Sequence, residues 1–437
     1  MNRWQYLFRE IKRLNLVNFY GEIDKVTGLV MESRGPKAAV GEICVVETLN
    51  NDGFMLAEVV GFRDSKLLLM PLGEMTGVAP GAKVSATGEP IRVPVSPQLL
   101  GRVVDGLGRP MDGLGDIETD TYYSITNQPP HPLRRQRISE PLPLGIKAVD
   151  GLLTCGKGQR LGIFAGSGVG KSTLMGMIAR NTAADVNVIG LIGERGREVR
   201  EFLEKDLQQE GLARSVVVVS TSDQSALCRL KAAFVATTIA EYFRDQGKDV
   251  LLMMDSITRF AMAQREIGLA IGEPPTTRGY TPSVFALMPR LLERAGAGEK
   301  GSITGLYTVL VEGDDLNEPV SDTVRGILDG HIALSRDLAA RAHYPAIDVL
   351  SSVSRSMPDI TDEKQRLYAN EIRKVLANYQ DAEDLINIGA YVSGSNPDID
   401  YALDKIDPVR AFLTQDVYEK VDWQTTLNSL EALFAEV

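Results

Sequence analysis

A glycine-rich segment that joins an apolar stretch to a helix-like stretch carries residue types able to bind phosphate. Its candidates are eight consecutive residues: Gly166, Ser167, Gly168, Val169, Gly170, Lys171, Ser172 and Thr173. Glycines at this spacing let successive backbone N–H groups surround a phosphate, and the N-terminus of a following helix adds partial positive charge. We expect Lys171 to reach the β- and γ-phosphates and the Ser172 hydroxyl to ligate Mg²⁺. The segment therefore predicts a site for a nucleoside triphosphate.

The segment departs from the general pattern GxxxxGK[ST] at its first position, which is Ala165 instead of glycine. This position ends the predicted strand Arg160–Ala165, where a methyl group is compatible with the motif if φ is negative. The alternative is a glycine-rich turn that precedes Lys-Ser by chance. The strand–loop–helix context and the charged residues downstream favour the phosphate site.

An aspartate after a second apolar stretch is the candidate for the metal. Asp255 ends the run Val250–Met254, which predicts a buried strand. A carboxylate at the end of such a strand can hold Mg²⁺ through a water molecule. The residue after Asp255 is Ser256 and not glutamate, so the base that activates a hydrolytic water must come from elsewhere.

Glu194 is the candidate for that base. It follows the predicted strand Val186–Ile192, and an acid at this position could polarise a water in line with the γ-phosphate. The neighbouring Arg195 could offset charge on the phosphoryl oxygens. The residues alone leave a second interpretation open, in which Glu194 and Arg197 form a surface ion pair at the start of a helix.

The charge balance of the chain excludes one class of partner. The chain has 437 residues, with 47 Lys+Arg against 58 Asp+Glu and a formal net charge of −11. An acidic protein of this kind does not have a surface built throughout to bind nucleic acid, although a local basic groove would survive the average. We therefore expect no nucleic-acid partner.

Cysteine, histidine and hydropathy patterns indicate where the protein works. The three cysteines and three histidines form no CxxC, HxH or HExxH pattern, which argues against a disulfide or a transition-metal centre and favours a reducing compartment. No apolar run approaches the roughly 18 residues of a membrane span. Residues 1–17 have charges where a signal peptide needs an apolar stretch. We expect a cytoplasmic protein.

The pattern along the chain predicts four segments that position these candidates. Residues 1–20 favour a basic amphipathic helix, and residues 21–96 contain short strands and turns typical of a β-barrel. Residues 97–359 begin with a Gly/Pro-rich connector and then alternate apolar strands with helices, whereas residues 360–437 have helical periodicity alone. The predicted fold class is α/β, with a mostly parallel sheet and flanking helices between a barrel and a helical domain.

Four motifs then identify a resemblance, because they occur in the order found in a known family. They are Gly166–Ser172, Gly193–Glu198, Asp255–Phe260 and Ser352–Arg355. With them, the chain resembles the catalytic subunits of rotary ATPases and, more closely, the type III secretion ATPases. The segment Thr258–Phe285 is most similar to the flagellar export ATPases of that family. The likeness extends from about residue 20 to the end of the chain.

The resemblance implies a RecA-like P-loop core and roles for five residues of the site. Glu194 matches the catalytic glutamate of the family. Lys171 matches the phosphate ligand, and Ser172 matches the magnesium ligand. Arg195 and Arg259 match arginines that contact phosphate.

Two residues further along the chain also match family positions. Tyr344 matches the aromatic residue that stacks on adenine, although packing is the commoner role of an aromatic beside proline. Arg355 matches the arginine that such assemblies insert into a neighbour's site. One chain carries both this arginine and Glu194, so identical subunits can complete each other's sites. The resemblance implies a homohexameric ring.

The implied function is Mg²⁺-dependent ATP hydrolysis that assists the export of flagellar proteins through a type III secretion apparatus, by chaperone release, substrate unfolding and delivery. The implied partners are identical copies, a regulatory or stator-like protein on the N-terminal helix, membrane proteins of the export gate, and chaperone–substrate complexes. The implied location is the cytoplasm, with peripheral attachment to the inner membrane. The alternatives are an injectisome ATPase, a catalytic subunit of a rotary ATP synthase, an RNA-translocating ring helicase, and a nucleotide-binding scaffold subunit.

Overall fold

The structure is a computed structural model that describes residues 19–49, 53–311, 315 and 317–434. The helix predicted over residues 1–20 therefore lies almost entirely outside the described residues. The chain divides into two compact units. The first comprises residues 1–91 with the short segments 225–228 and 266–274, and the second comprises the rest.

The first unit contains a closed antiparallel β-barrel with the strand order β1-β2-β5-β4-β3-β6. Its strands are β1 (Tyr20–Thr27), β2 (Val30–Arg34), β3 (Ile43–Glu47), β4 (Phe54–Arg63), β5 (Lys66–Pro71) and β6 (Lys83–Ala86). Alternate side chains point inward, as strand geometry requires. In β3, for example, Cys44 and Val46 are fully buried and Val45 is partly exposed. The predicted β-barrel is confirmed.

The second unit is organised around a sheet with the strand order β17-β16-β10-β15-β13-β11-β12-β8, and β14 pairs with β15. All pairs along this path are parallel except β16 with β17, which is antiparallel. The separate strands β7 and β9 pair with each other. The strands of this unit are β7 (Arg92–Pro94), β8 (Val103–Asp105), β9 (Tyr122–Ser124), β10 (Arg160–Ala165), β11 (Val186–Glu194), β12 (Ser215–Thr221), β13 (Asp249–Asp255), β14 (Gly296–Ala297), β15 (Ser302–Leu310), β16 (Gly330–Leu334) and β17 (Ile347–Ser354).

Helices connect the strands and form the C-terminal part of the chain. They are α1 (Lys147–Leu152), α2 (Lys171–Asn181), α3 (Gly196–Glu201), α4 (Gln208–Ala213), α5 (Ala226–Asp245), α6 (Ile257–Ile271), α7 (Pro282–Leu292), α8 (Pro319–Ile327), α9 (Arg336–Ala340), α10 (Met357–Ile360), α11 (Glu363–Asn387), α12 (Pro397–Leu413) and α13 (Trp423–Ala432). A π-helical turn, Phe202–Leu207, joins α3 to α4, and short 3₁₀ turns lie at Pro97–Leu99, Pro132–Arg134 and Thr277–Gly279.

The C-terminal helices pack on the sheet domain through an apolar core and a buried amide. Ile372 of α11 and Val409 of α12 belong to the same buried cluster as Val149 of α1. The Gln365 amide donates to the backbone oxygens of Asp150 and Gly151 at 3.0 and 3.2 Å. An amide buried in this way must be hydrogen-bonded, so these contacts fix the start of α11 on α1.

The predicted strands of the α/β region are confirmed within one or two residues at each end, because each is a mostly apolar run. The edge strands β8 and β17 and the adjacent strand β16 were not predicted, since β8 lies in the Gly/Pro-rich connector and the other two are short or irregular in hydropathy. All three cysteines are buried and free of disulfides. Among the described residues, no helix has the length and apolar character of a membrane span.

A fully buried ion pair holds the connector, α5 and the end of α7 together. The Arg294 guanidinium donates from Nε and Nη2 to the two carboxylate oxygens of Glu241, at 2.8 and 2.6 Å. Arg294 also donates to the backbone oxygen of Ile125, and Asn127 donates to Glu241. Both charges thus have hydrogen-bond partners besides each other, which is the condition for a buried pair to be tolerated.

We predict that Glu241→Gln lowers the free energy of unfolding by about 3–5 kcal/mol, because it leaves the buried guanidinium without its counter-charge. The matched control is Lys374→Gln, which removes the exposed ion pair of Lys374 with Asp398 and should cost less than about 1 kcal/mol. Urea unfolding followed by circular dichroism measures both. Equal unfolding midpoints for the two variants would contradict the prediction.

Candidate nucleotide-binding and hydrolysis site

The predicted site residues converge at the carboxyl edge of the parallel sheet. β10 ends at Ala165 and leads into the glycine loop, β11 ends at Glu194, and β13 ends at Asp255. The strands β11 and β13 are neighbours, with Leu191 in register with Asp255. Because parallel strands end at the same edge, residues far apart in sequence meet there.

The glycine loop has the conformation that its residue types predict. Gly168 and Gly170 have φ angles of 82° and 89°, in the left-handed region that favours glycine. Gly170 is the N-cap of α2, so Lys171 is the first residue of that helix. Ala165 is not among the residues with positive φ, and its methyl group is therefore accommodated at the end of β10.

Gly166 is constrained by a neighbouring arginine. A Cβ atom at Gly166 would lie 2.6 Å from Nε of Arg336, which follows β16. A side chain at this position would have to displace the Arg336 guanidinium from the loop. Arg336 was not predicted as part of the site, because nothing in the sequence indicates that β16 lies beside β10.

Lys171, Glu194 and Asp255 form the charged centre of the site. The Lys171 ammonium donates to Oδ1 of Asp255 at 2.5 Å and lies 4.0 Å from Oε1 of Glu194. The side chains of the three residues are only 12%, 14% and 6% exposed, respectively. One cation thus lies beside two nearly buried carboxylates, in an environment where charge interactions are stronger than in water.

Burial raises the pKa of Glu194 to about 7, and the Asp255 carboxylate adds to this rise while Lys171 opposes it. A carboxylate with a pKa near neutrality is matched to the work of a general base at the pH of a cell. Oε1 of Glu194 has no hydrogen-bond partner among the described residues. Glu194 can therefore accept a hydrogen bond from a water molecule.

The two arginines predicted to contact phosphate differ in position. The aliphatic part of Arg259 packs against Gly193, and its Nε is buried without a hydrogen-bond partner among the described residues. The Arg195 side chain is 79% exposed and lies 3.6 Å from Glu198. The structure thus brings Arg259 beside the strand end that carries Glu194, and it leaves the Arg195 side chain at the surface.

The alternative surface pair between Glu194 and Arg197 is wrong. Arg197 is paired instead with Glu201, one turn along α3, at 3.1 Å. Glu194 faces Lys171 and is mostly buried. Its environment is the site and not the exposed face of α3.

Tyr344 lies against the glycine loop. Its ring carbons lie 3.6 Å from the position that a Cβ atom of Gly170 would take, and the ring is partly exposed. The backbone oxygen of Tyr344 accepts a hydrogen bond from the Gln415 N–H at 2.9 Å. The Gln415 side chain in turn bonds the N–H of Lys147 and the oxygen of Gly145. Gln415, which was not predicted, ties the Tyr344 backbone to the segment before α1.

Arg355 lies at the opposite edge of the sheet from Lys171. It follows β17, whose last residue Ser354 is in register with Gly330 at the start of β16. The Arg355 N–H donates to the oxygen of Asp329, and Asp329 bonds Arg160 at the start of β10. The five residue steps along β10 correspond to about 16 Å at about 3.3 Å per residue. Arg355 is therefore distant from the glycine loop of its own chain.

The donor set fits a magnesium-bound triphosphate. Backbone N–H groups, the Lys171 ammonium, the Ser172 hydroxyl and the Asp255 carboxylate are the groups that such a ligand requires. Two of the buried polar atoms that have no hydrogen-bond partner among the described residues, Oε1 of Glu194 and Nε of Arg259, lie on strand β11 and on the helix that packs beside its end. Buried polar atoms need partners, and a water and a phosphate would supply them.

Comparisons with known proteins agree with this site. Residues 145–354 match the model for the nucleotide-binding domain of the ATP synthase alpha/beta family, and residues 23–88 match its β-barrel domain. Residues 361–432 match the model for the C-terminal domain of the type III secretion ATPase EscN. The chain belongs to the ATP synthase alpha/beta family. It is an ATPase of the branch that contains the flagellar and type III secretion members.

Individual members of this branch are similar over nearly their whole length. The chain is 56% identical over 415 residues to a "Flagellum-specific ATP synthase" of Bacillus subtilis, covering 95% of each chain. It is 54% identical to a "Type 3 secretion system ATPase" of Xanthomonas euvesicatoria, covering 98% of this chain and 97% of the relative. The assembled ATPase EscN of enteropathogenic E. coli superposes with a TM-score of 0.90 at 48% identity, covering 94% of this chain and 99% of that chain.

We predict that Glu194→Gln retains nucleotide binding and loses hydrolysis by about two to four orders of magnitude, because the amide cannot accept a proton from water. Fluorescence titration with a ribose-labelled ADP measures binding, and phosphate release measures turnover. Glu204→Gln is the matched control, since Glu204 lies at the surface, where its carboxylate pairs with Arg200 at 2.7 Å. Near-normal turnover by Glu194→Gln would contradict the role of Glu194 as the base.

Proposed function

We propose that this ATPase hydrolyses Mg²⁺·ATP at a site completed by a second copy of the same chain. The observation that carries the proposal is the separation of two charged groups within one chain. Lys171, Glu194 and Asp255 meet at the carboxyl edge of the sheet, and Arg355 follows β17 at the other edge.

Within one copy, each charged group has a distinct task. The glycine loop and Lys171 hold the β- and γ-phosphates, and the Ser172 hydroxyl and the Asp255 carboxylate would hold Mg²⁺. The metal neutralises phosphate charge when it is bound. Glu194 orients the attacking water and accepts its proton. Arg259 lies where its buried Nε can donate to a phosphoryl oxygen, and Arg195 would have to turn inward to do so.

The neighbouring copy contributes the Arg355 guanidinium. A planar guanidinium can neutralise charge spread over the γ-phosphate in the transition state, and an arginine supplied from a neighbour increases the rate by about 10³–10⁵. The edge strand β17 carries exposed apolar side chains, Leu350 and Val353, beside Arg355. An apolar edge next to a required charge suits a contact between subunits.

Contacts of this kind are head-to-tail and close into a ring, which we propose to be a homohexamer. We propose that the Tyr344 ring stacks on adenine, since it lies against the glycine loop and is partly exposed. EscN is described in one structure in complex with its central stalk EscO, and that structure superposes on the chain with a TM-score of 0.88. A stalk protein is accordingly a proposed partner here.

The proposed cellular role is the export of flagellar proteins, by chaperone release, substrate unfolding and delivery at the inner membrane. Several similar relatives carry the name "Flagellum-specific ATP synthase", among them those of Treponema pallidum and Salmonella typhimurium at 52% and 49% identity. The second candidate is injectisome secretion, which the 54% identity to the Xanthomonas euvesicatoria protein favours. The proposed partners remain the export gate, chaperone–substrate complexes and a regulatory protein on the N-terminal segment.

We predict that Arg355→Ala and Lys171→Ala are each inactive alone and recover activity when mixed. In a mixed ring, some contacts join an intact glycine loop from the Arg355→Ala copy to an intact arginine from the Lys171→Ala copy. Random mixing in equal amounts would restore up to about a quarter of the sites. Phosphate release after co-assembly at several mixing ratios measures the recovery.

The control for this experiment is the double variant that carries both substitutions in one chain. Mixed with Arg355→Ala, it supplies no intact arginine and should restore nothing. If no ratio of the two single variants recovers activity although both assemble with wild-type copies, Arg355 does not act in a neighbour's site.

A further inference from the structure

A threonine buried in β15 contacts the proposed metal-binding aspartate. Thr308 lies in a strand whose other residues are almost all buried and mostly apolar, and it is itself fully buried. β15 lies between β10, which leads into the glycine loop, and β13, which ends at Asp255. Thr308 thus occupies the strand that separates the two halves of the phosphate and metal site.

The Thr308 hydroxyl has two acceptors within reach and one proton to donate. Oδ1 of Asp255 lies 2.7 Å from Oγ1, and the backbone oxygen of Met254 lies 3.3 Å from it. The shorter distance and the charge of the carboxylate favour donation to Asp255. A hydroxyl buried in an apolar strand costs free energy unless it is bonded, so this contact is the one that its burial requires.

The same carboxylate oxygen also accepts from Lys171, at 2.5 Å. Lys171 is the residue expected to turn toward the phosphates when nucleotide binds, and it then leaves Asp255. Thr308 belongs to the central sheet, and its other acceptor, the Met254 oxygen, lies farther away at 3.3 Å. It is therefore the donor that remains on Oδ1 while the site is loaded.

We propose that Thr308 is a positioning residue, which fixes the orientation of the Asp255 carboxylate and so sets the affinity of the site for Mg²⁺ together with nucleotide. The rotation of an aspartate carboxylate about its last bond is only weakly restricted by itself. The Thr308 hydrogen bond to Oδ1 restricts it, and neither this bond nor that of Lys171 uses Oδ2. A carboxylate held in this way needs no reorganisation to accept a hydrogen bond from metal-bound water. This inference rests on the proposed role of Asp255.

The test substitutes Thr308 with valine, which has the same shape and lacks the hydroxyl. The full chain is titrated with Mg²⁺ at a fixed concentration of ribose-labelled ADP, and ATP hydrolysis is followed over the same series of Mg²⁺ concentrations. The quantity compared between variants is the Mg²⁺ concentration that gives half of the maximal fluorescence change. We expect Thr308→Val to raise this concentration by about 10–100-fold, as losses of such supporting contacts do. Binding of the labelled ADP in EDTA should be unchanged.

Two controls separate positioning from packing. Thr308→Ser keeps the hydroxyl and should return the Mg²⁺ concentration to within about threefold of wild type. Thr237→Val removes a buried hydroxyl that donates to the Ala233 oxygen within α5, and it should leave the Mg²⁺ dependence unchanged. Thr308→Ala takes the place of the valine variant if valine prevents folding.

A wild-type Mg²⁺ dependence in Thr308→Val, with or without a lower thermal unfolding midpoint, would overturn the inference and leave the proposed function intact. Failure of the proposed function has a different signature. In that case wild-type protein would bind labelled ADP equally with Mg²⁺ and with EDTA, and Asp255→Asn would change nothing.

Discussion

The site depends on a short contact between one ammonium and one carboxylate, Lys171 with Asp255, at the edge where parallel strands end. Neither charge is stable when buried alone, and their pairing is what permits both side chains to lie nearly buried. Glu194 lies just beyond hydrogen-bonding distance of the same ammonium, and its pKa is raised accordingly by burial and by Asp255. In the proposed mechanism, nucleotide binding exchanges the carboxylate partner of Lys171 for phosphate oxygens. That exchange links occupancy of the site to the electrostatic state of both acids.

Strand direction explains why such a site would need a second copy. The parallel strands β10, β11, β12, β13, β15 and β16 deliver their carboxyl ends to the same edge, which concentrates acids, lysine and loop N–H groups there. β17 runs antiparallel to β16 and carries Arg355 back to the opposite edge. A chain of this topology carries the glycine loop at one edge of the sheet and the Arg355 guanidinium at the opposite edge. Copies arranged head to tail can bring the two together, and each contact then joins the nucleotide state of one copy to the structure of the next.

The sequence predicts those parts of the fold and the site that depend on local pattern. The glycine loop, the strand that precedes it and the acids at the ends of β11 and β13 all follow from residue type and spacing within a short window. The contacts of Thr308, Arg336 and Gln415 do not, because each depends on which strands or loops become neighbours. Thr308 lies 53 residues from Asp255 in sequence, and only the placement of β15 beside β13 makes it part of the site. Arg195 shows the reverse. Its motif predicts a phosphate contact, whereas its side chain lies exposed at the surface.

The most direct test of the account is the specific ATPase activity as a function of protein concentration, measured together with the assembled fraction by light scattering. If a neighbour supplies Arg355, activity per chain should rise steeply as rings form and should follow the assembled fraction. Arg355→Ala should assemble over the same range and remain inactive at every concentration. Full activity per chain in dilute solution, where light scattering detects only single copies, would contradict the account.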